Sequence, residues 1–188
     1  MRFRHPMIKS AVVERSTHEE RRAAHLRLAM LFADQPERRG HHLGEAALAP
    51  DEDVAAAVED GAHRTLRRGD VVGAISRLTR AADLSPDPKD RSRRLADAAY
   101  VGVASAGEID SASELLRDAH RRDPTAGETL RAAAATAYLL LNSEGNAQTT
   151  HRLLTVAIES ALGEPDDDRD GLSEALYTLV LVLSLIHI

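Results

Sequence analysis

Apolar residues along this chain recur every three or four positions, which is the spacing of one face of an α-helix. The clearest runs are Ala24, Leu28, Leu31 and Phe32, then Val54, Val58, Ala62 and Leu66, and then Val71, Ile75, Leu78 and Ala82. Strict alternation of apolar and polar residues, the mark of a half-buried strand, is nearly absent. The pattern therefore predicts an all-α protein.

Capping and turn residues divide these runs into helices. Thr17 and Glu20 are spaced as a capping box, as are Thr125 and Glu128, and Asp51 is placed to cap the next helix. The first predicted helix starts near residue 17, a short second one passes through residues 43–47, and the next two start at residues 51 and 71. Later helices span about 90–106, 110–122, 126–141 and 147–162, and a last one starts near residue 171.

The second half of the chain repeats itself at a step of 38 residues. The positions that recur are Gly69, Gly107 and Gly145; Leu78, Leu116 and Leu154; Ala81, Ala119 and Ala157; Ala74 and Ala112; Pro86 and Pro124; Tyr100 and Tyr138. Self-similarity at 20–50 residues is typical of stacked helical hairpins, each of which buries its apolar face against its neighbours. We expect residues 51–188 to form a right-handed solenoid of hairpin repeats, preceded by an N-terminal helical junction at 1–50.

The turn and second helix of each repeat resemble the tetratricopeptide family. Gly69 and Asp70 match the turn of that family, and the small, bulky, small and proline positions after it are matched by Ala74, Leu78, Ala81 and Pro86. The second repeat keeps all of these types except the aspartate. The period of 38 exceeds the family's 34 by four residues, about one helical turn, so a longer first helix would keep its facing.

The N-terminal stretch resembles a junction in large ATP-binding transcriptional regulators of the LuxR type. The residues that carry this are the run Phe3-Arg4-His5-Pro6, the arginine-rich 19–25 and the stretch 38–47. The resemblance implies that 1–50 contains the end of a winged-helix and ATPase module with its linking helices. It also implies that 51–188 is a repeat array truncated at its C-terminus. ATP and DNA would bind only to modules before and after this chain.

The composition limits the kinds of binding site that we expect in this chain. The chain has no cysteine, 3% aromatic residues and a net charge of −6. Residues 1–50 carry nine Lys/Arg against six Asp/Glu, whereas the remainder carries fifteen against twenty-four. Five arginine doublets are diluted by acidic residues, so we expect solvated faces and intrahelical ion pairs rather than a nucleic-acid surface.

No arrangement of residues predicts a metal, cofactor or catalytic site. Asp166, Asp168, Asp170 and Gly171 match the opening of an EF-hand loop, but the twelfth position is Tyr177 instead of the glutamate that calcium needs, so we favour an acidic turn. The nine histidines are expected to be scattered: His41 and His42 point about 100° apart on a helix. His18 and His25 could share a face, but no metal motif completes them.

These observations favour a non-catalytic sensor or protein-interaction segment of a LuxR-type regulator over an enzyme. The alternative is a free-standing tetratricopeptide-like scaffold. Expected partners are the neighbouring ATPase module and an effector protein or small molecule, in the cytoplasm and without a membrane. The apolar run from Leu176 to Leu183 predicts self-association.

Overall fold

The chain folds into helices throughout the part that the computed structural model describes, residues 14–107, 109–124, 129–143, 145–162 and 169–186. These residues contain nine α-helices and one π-helical segment, but no strand, so the all-α prediction is confirmed. The helices are α1 (His18–Leu31), α2 (Pro36–Ala46), α3 (Glu52–Arg67), α4 (Val71–Leu84), α5 (Pro88–Val101), α6 (Ile109–Arg122), α7 (Leu130–Ser143), α8 (Ala147–Leu162) and α9 (Arg169–Ile186).

The predicted caps form where the structure describes them. Thr17 and Glu20 make both hydrogen bonds of a capping box at the start of α1. The Asp51 carboxylate accepts from the backbone N–H of Val54 and begins α3. The capping box predicted at residues 125 and 128 lies outside the described residues, and the predicted helix at 90–106 instead begins at Pro88 and ends in a π-helical segment, Gly102–Ala106.

Three glycines reverse the chain between helices in the left-handed region that other residues disfavour. They are Gly69, Gly107 and Gly145, with φ of 85°, 67° and 60°. The turn glycines predicted from the 38-residue step are therefore confirmed as turns. The helices on either side of them, α3 with α4, α5 with α6 and α7 with α8, pack against each other.

The first helices of successive pairs also meet, since α5 packs against α7, and α7 against α9. Alanines at the contacts, including Ala62, Ala98, Ala99 and Ala134, are buried and allow close approach of the helices. The low aromatic content is compatible with this packing, because small side chains fill the space between closely spaced helices.

The N-terminal helices lie against the first pair. A Cβ added at Gly40 of α2 would stand 2.3 Å from the backbone oxygen of Ala57 in α3, so these two helices are in backbone contact. Arg80 of α4 donates to the carbonyl of Gly44 at 2.8 Å. Residues 36–46 therefore share an interface with the helices that begin the repeats.

The last helix has an apolar face exposed to solvent. Its exposed residues include Leu176, Tyr177, Val180, Leu183 and Leu185. Despite this, none of the helices in the described ranges combines the length and the apolar character needed to cross a membrane.

Candidate functional site

A seam of arginines and carboxylates runs across the first helices of successive pairs. We define this charged seam as Glu52 and Glu59 of α3, Arg93, Arg94 and Asp97 of α5, Arg131 of α7 and Glu174 of α9. Residues four apart on a helix share a face, so Arg93 and Asp97 point to the same side of α5. Ion pairs of these side chains therefore join α3 to α5, α5 to α7 and α7 to α9.

Arg94 lies at the centre of the charged seam and is almost completely buried. Its guanidinium donates to both oxygens of Glu52, at 2.6 and 3.0 Å, and to Oε2 of Glu59 at 2.8 Å. The hydroxyl of Ser85 accepts a further hydrogen bond from it. A buried charge is tolerated only when it is paired and hydrogen-bonded in this way. The interpretation of the Arg93-Arg94 doublet as a solvated face with intrahelical pairs is therefore wrong for Arg94. Arg93 is partly exposed and pairs with Asp97 of its own helix, as expected, but it also binds Glu59 of α3.

The same ion pair occurs twice at the step of the sequence repeat. Arg93 binds Glu59 at 2.6 Å, and Arg131 binds Asp97 at 3.2 Å. Both members shift by 38 residues between the two pairs, because 93 + 38 = 131 and 59 + 38 = 97. In each case an arginine of one first helix reaches a carboxylate of the preceding first helix. The charges thus follow the register of the predicted repeats.

The pKa values of Glu59 and Asp97 are shifted in opposite directions, although burial raises both. Burial alone would raise the pKa of Glu59, but hydrogen bonds from His63 and Arg93 and the charges of Arg93 and Arg94 outweigh it and hold this pKa far below its usual range. Burial raises the pKa of Asp97, and the charges of Arg131 and Arg93 only partly offset it. One oxygen of Asp97, Oδ1, has no hydrogen-bond partner among the described residues. Glu59 is therefore firmly ionised, whereas the ionised form of Asp97 is disfavoured by its surroundings.

Two carboxylates of the charged seam and the adjacent His63 have the spacing of a metal site. Glu59, His63 and Asp97 each offer a ligand atom, and these atoms lie within 4.8 Å of one another. However, the guanidinium of Arg93 lies 2.6 Å from Glu59 and 3.4 Å from Asp97, and Arg131 also binds Asp97. A cation here would have to displace these guanidinium groups and would be repelled by them. The arrangement fits an ion-pair network better than a metal centre.

Two tyrosines extend the polar surface toward α9. The rings of Tyr100 and Tyr138, which occupy the same position of the sequence repeat, meet edge to face with centroids 6.1 Å apart. Burial raises the pKa of Tyr100 to about 12 and also raises that of Tyr138, and the hydroxyl of Thr178 near both phenols only partly offsets this. The phenols are therefore protonated at neutral pH and act as hydrogen-bonding groups rather than as bases.

Part of the charged seam, together with the adjacent His63, is exposed to solvent. The side chains of Glu52 and Arg93 are about two-fifths exposed, at 44% and 41%, and His63 and Glu174 are about one-third exposed. Their buried neighbours hold these groups in place, which lowers the entropy lost when a polar partner binds. The sequence alone does not show which charged residues of different first helices meet.

The EF-hand resemblance does not produce a loop of the required length. Asp166 and Asp168 lie outside the described residues, but α9 already begins at Arg169. Gly171 and Tyr177 are therefore helical, although they would belong to the twelve-residue calcium loop that the motif needs.

Three histidines lie together at the contact of α1 and α2, and we call His25, His41 and His42 the histidine cluster. Nδ1 of His25 lies 3.2 Å from Nδ1 of His42. The ring of His42 also stacks on Phe32, with centroids 5.7 Å apart, and Arg38 lies over the same phenylalanine. Burial lowers the pKa of His42, and the charges of His41 and His25 lower it further.

The expectation of scattered histidines is wrong for these three residues. The sequence showed that His41 and His42 diverge on one helix, but it did not show that His25 of another helix reaches them from 17 positions away. Arginines 121 and 122, in contrast, pair with Asp118 within α6, as expected for intrahelical ion pairs.

Comparison with known proteins gave no match, whether with family models, with curated proteins or with solved structures.

Proposed function

We propose that this chain is a non-catalytic sensor and protein-interaction segment built from tetratricopeptide-like hairpins. The observation that carries the proposal is the arginine–carboxylate pair that recurs between first helices, Arg93 with Glu59 and Arg131 with Asp97. Stacked hairpins place equivalent residues of their first helices side by side, and a right-handed solenoid would align them along one groove. The positive-φ glycines at the same 38-residue step support this arrangement.

A binding role suits the chemistry of the charged seam. Its acids are paired with arginines, and Tyr100 is protonated at neutral pH, so none of these groups is arranged as a base beside a nucleophile. Its exposed rim instead offers carboxylates and a guanidinium at fixed positions. We propose that an effector, either a protein or a small molecule, or the neighbouring ATPase module binds there.

The larger protein that we propose is an ATP-binding transcriptional regulator of the LuxR type in the cytoplasm. The junction run from Phe3 to Pro6 and the arginine-rich stretch after it support this assignment. ATP and DNA would bind to other modules of that protein, and the present segment would transmit the effector signal to them. A free-standing repeat scaffold is the second candidate, because the repeated ion pair fits it equally well.

Sequencing through the gene on both sides of this reading frame separates the two candidates. The regulator requires a P-loop motif before the segment and a helix-turn-helix after it, both in frame. Stop codons at both ends would rule out the regulator and leave the scaffold.

A reporter assay in the complete regulator then tests the sensor role. Deletion of residues 90–162 removes α5 to α8 and should abolish the response of a target promoter to its effector, while the separate DNA-binding module still binds DNA. An unchanged effector response would contradict the proposed role.

A further inference from the structure

The histidine cluster presents imidazole groups from two helices toward one another. Imidazole is a common ligand of zinc, copper and nickel ions, through either ring nitrogen. His25 comes from α1, whereas His41 and His42 come from α2, so a metal held by all three would join the two helices. This cluster lies outside the charged seam.

The spacing of His25 and His42 fits two ligands of a tetrahedral zinc ion, whereas the rings of His25 and His41 stand further apart than such an ion requires. Zinc–nitrogen bonds of 2.0–2.1 Å at the tetrahedral angle place two ligand nitrogens about 3.3 Å apart, and the two Nδ1 atoms of His25 and His42 are 3.2 Å apart. The same geometry separates ring centroids by about 5.2 Å. The observed centroid distances are 5.2 Å for His25 and His42, 5.0 Å for His41 and His42, and 6.2 Å for His25 and His41.

The surroundings of the histidine cluster differ from those of Glu59, His63 and Asp97, where guanidinium groups contact both carboxylates. At the histidine cluster, the guanidinium whose charge acts on His42 is that of Arg38, which lies over Phe32. Arg77 and Arg80 line a cavity together with His41. Glu45 follows His41 by four residues on the same helix and supplies a negative charge nearby. His41 is exposed, so its ring is free to turn toward His25 and shorten the longest of the three centroid distances.

We propose that the histidine cluster binds one divalent transition-metal ion of the zinc class. His25 and His42 coordinate it through Nδ1, His41 supplies the third nitrogen, and the fourth position is open to water or another ligand. The bound ion fastens α1 to α2. Without metal, one of the two facing Nδ1 atoms donates a hydrogen bond to the other. This inference does not depend on the proposed function.

Zinc titration of the 188-residue chain by calorimetry, with Co²⁺ absorption as a report of tetrahedral nitrogen ligation, tests the site. We expect one ion per chain. Loss of an outer-shell partner of a metal ligand costs about 10–100-fold in affinity, so the ligand variant His25→Gln/His42→Gln should lose at least about 100-fold. The matched control His120→Gln/His151→Gln should bind as the parent chain does.

Two further outcomes decide the assignment. Zinc at about 100 times its Kd should raise the Tm of the parent chain by about 5–11 °C, and this rise should be absent in the ligand variant, whose helix content is checked by circular dichroism. Zinc binding that survives in the ligand variant would overturn the proposal. Binding that is lost in His63→Gln instead would assign the metal to α3 and α5 and would equally overturn it.

Discussion

Arg94 provides the sharpest test of the energetics, because its charge is buried and its partners are known. The substitution Arg94→Ala removes the two hydrogen bonds to Glu52, the one to Glu59 and the one to Ser85. Glu59 remains largely buried, at 12% exposure, and keeps only Arg93 as a guanidinium partner. The variant therefore leaves a carboxylate in the interior that has lost one of its two guanidinium partners.

The expected loss follows from that geometry. Removing one partner of a buried ion pair costs about 3–5 kcal/mol, and the lower end applies here because Arg93 stays in place. For a chain of this length each kcal/mol lowers the Tm by about 2–4 °C, so Arg94→Ala should melt about 6–12 °C below the parent chain. Arg94→Met restores most of the side-chain volume, yet it should still lose at least about 2 kcal/mol because the charge is not restored.

Thermal and urea unfolding followed by circular dichroism measure this difference. The matched control is Arg121→Ala, which removes an exposed arginine paired with Asp118 and should cost less than about 1 kcal/mol. Equal losses in the two alanine variants would refute the view that burial makes Arg94 costly to remove. Full recovery in Arg94→Met would show that packing rather than charge stabilises this position.

Three other predictions concern acid, close packing and association. Because the folded state depresses the pKa of Glu59 below its ordinary value of 4.5, the stabilising contribution of Glu59 is present above pH 4.5 and is lost as the pH falls toward the folded pKa. The difference in unfolding free energy between the parent chain and Glu59→Gln, measured by urea unfolding, should therefore narrow as the pH falls below 4.5. A constant difference would contradict the depressed pKa of Glu59. Gly40→Ala pushes α2 away from α3 and should lower the unfolding free energy by about 1–3 kcal/mol. This loss should exceed that of Gly69→Ala, where only backbone strain of about 1–2 kcal/mol opposes the methyl group. The reverse order in urea unfolding would argue against the backbone contact between α2 and α3. Val180→Lys should shift light scattering toward the monomer, whereas the control Val72→Lys on α4 should not, and equal effects would rule out the apolar face of α9 as the associating surface.

The helices and turns were predictable because their signals are local. Thr17 with Glu20 and Asp51 were identified as caps from neighbouring residues alone. Gly107 was identified as a turn because only a residue without a side chain readily adopts a positive φ. The start of α5 at Pro88 was missed, although proline is well suited to the first position of a helix.

The candidate sites were not predictable because they depend on contacts between distant residues. Arg94 looks like a surface residue in the sequence, and only the position of Glu52 and Glu59 on another helix explains its burial. His25 and His42 likewise approach one another through the packing of α1 on α2. A search for a carboxylate followed 34 residues later by an arginine, and recurring at the 38-residue step, would have found Glu59 with Arg93 and Asp97 with Arg131.

The repeated ion pair also bears on how such a chain avoids folding in the wrong order. Segments that resemble one another can exchange places, and an arginine from one segment could then meet the wrong neighbour. The position that holds Glu59 and Asp97 in two segments holds Ala135 in the next, because 97 + 38 = 135. A segment docked one place too far along would therefore place its arginine opposite a methyl group and lose the ion pair to the carboxylate. The repeated ion pair thus favours the native order of the segments over a shifted one.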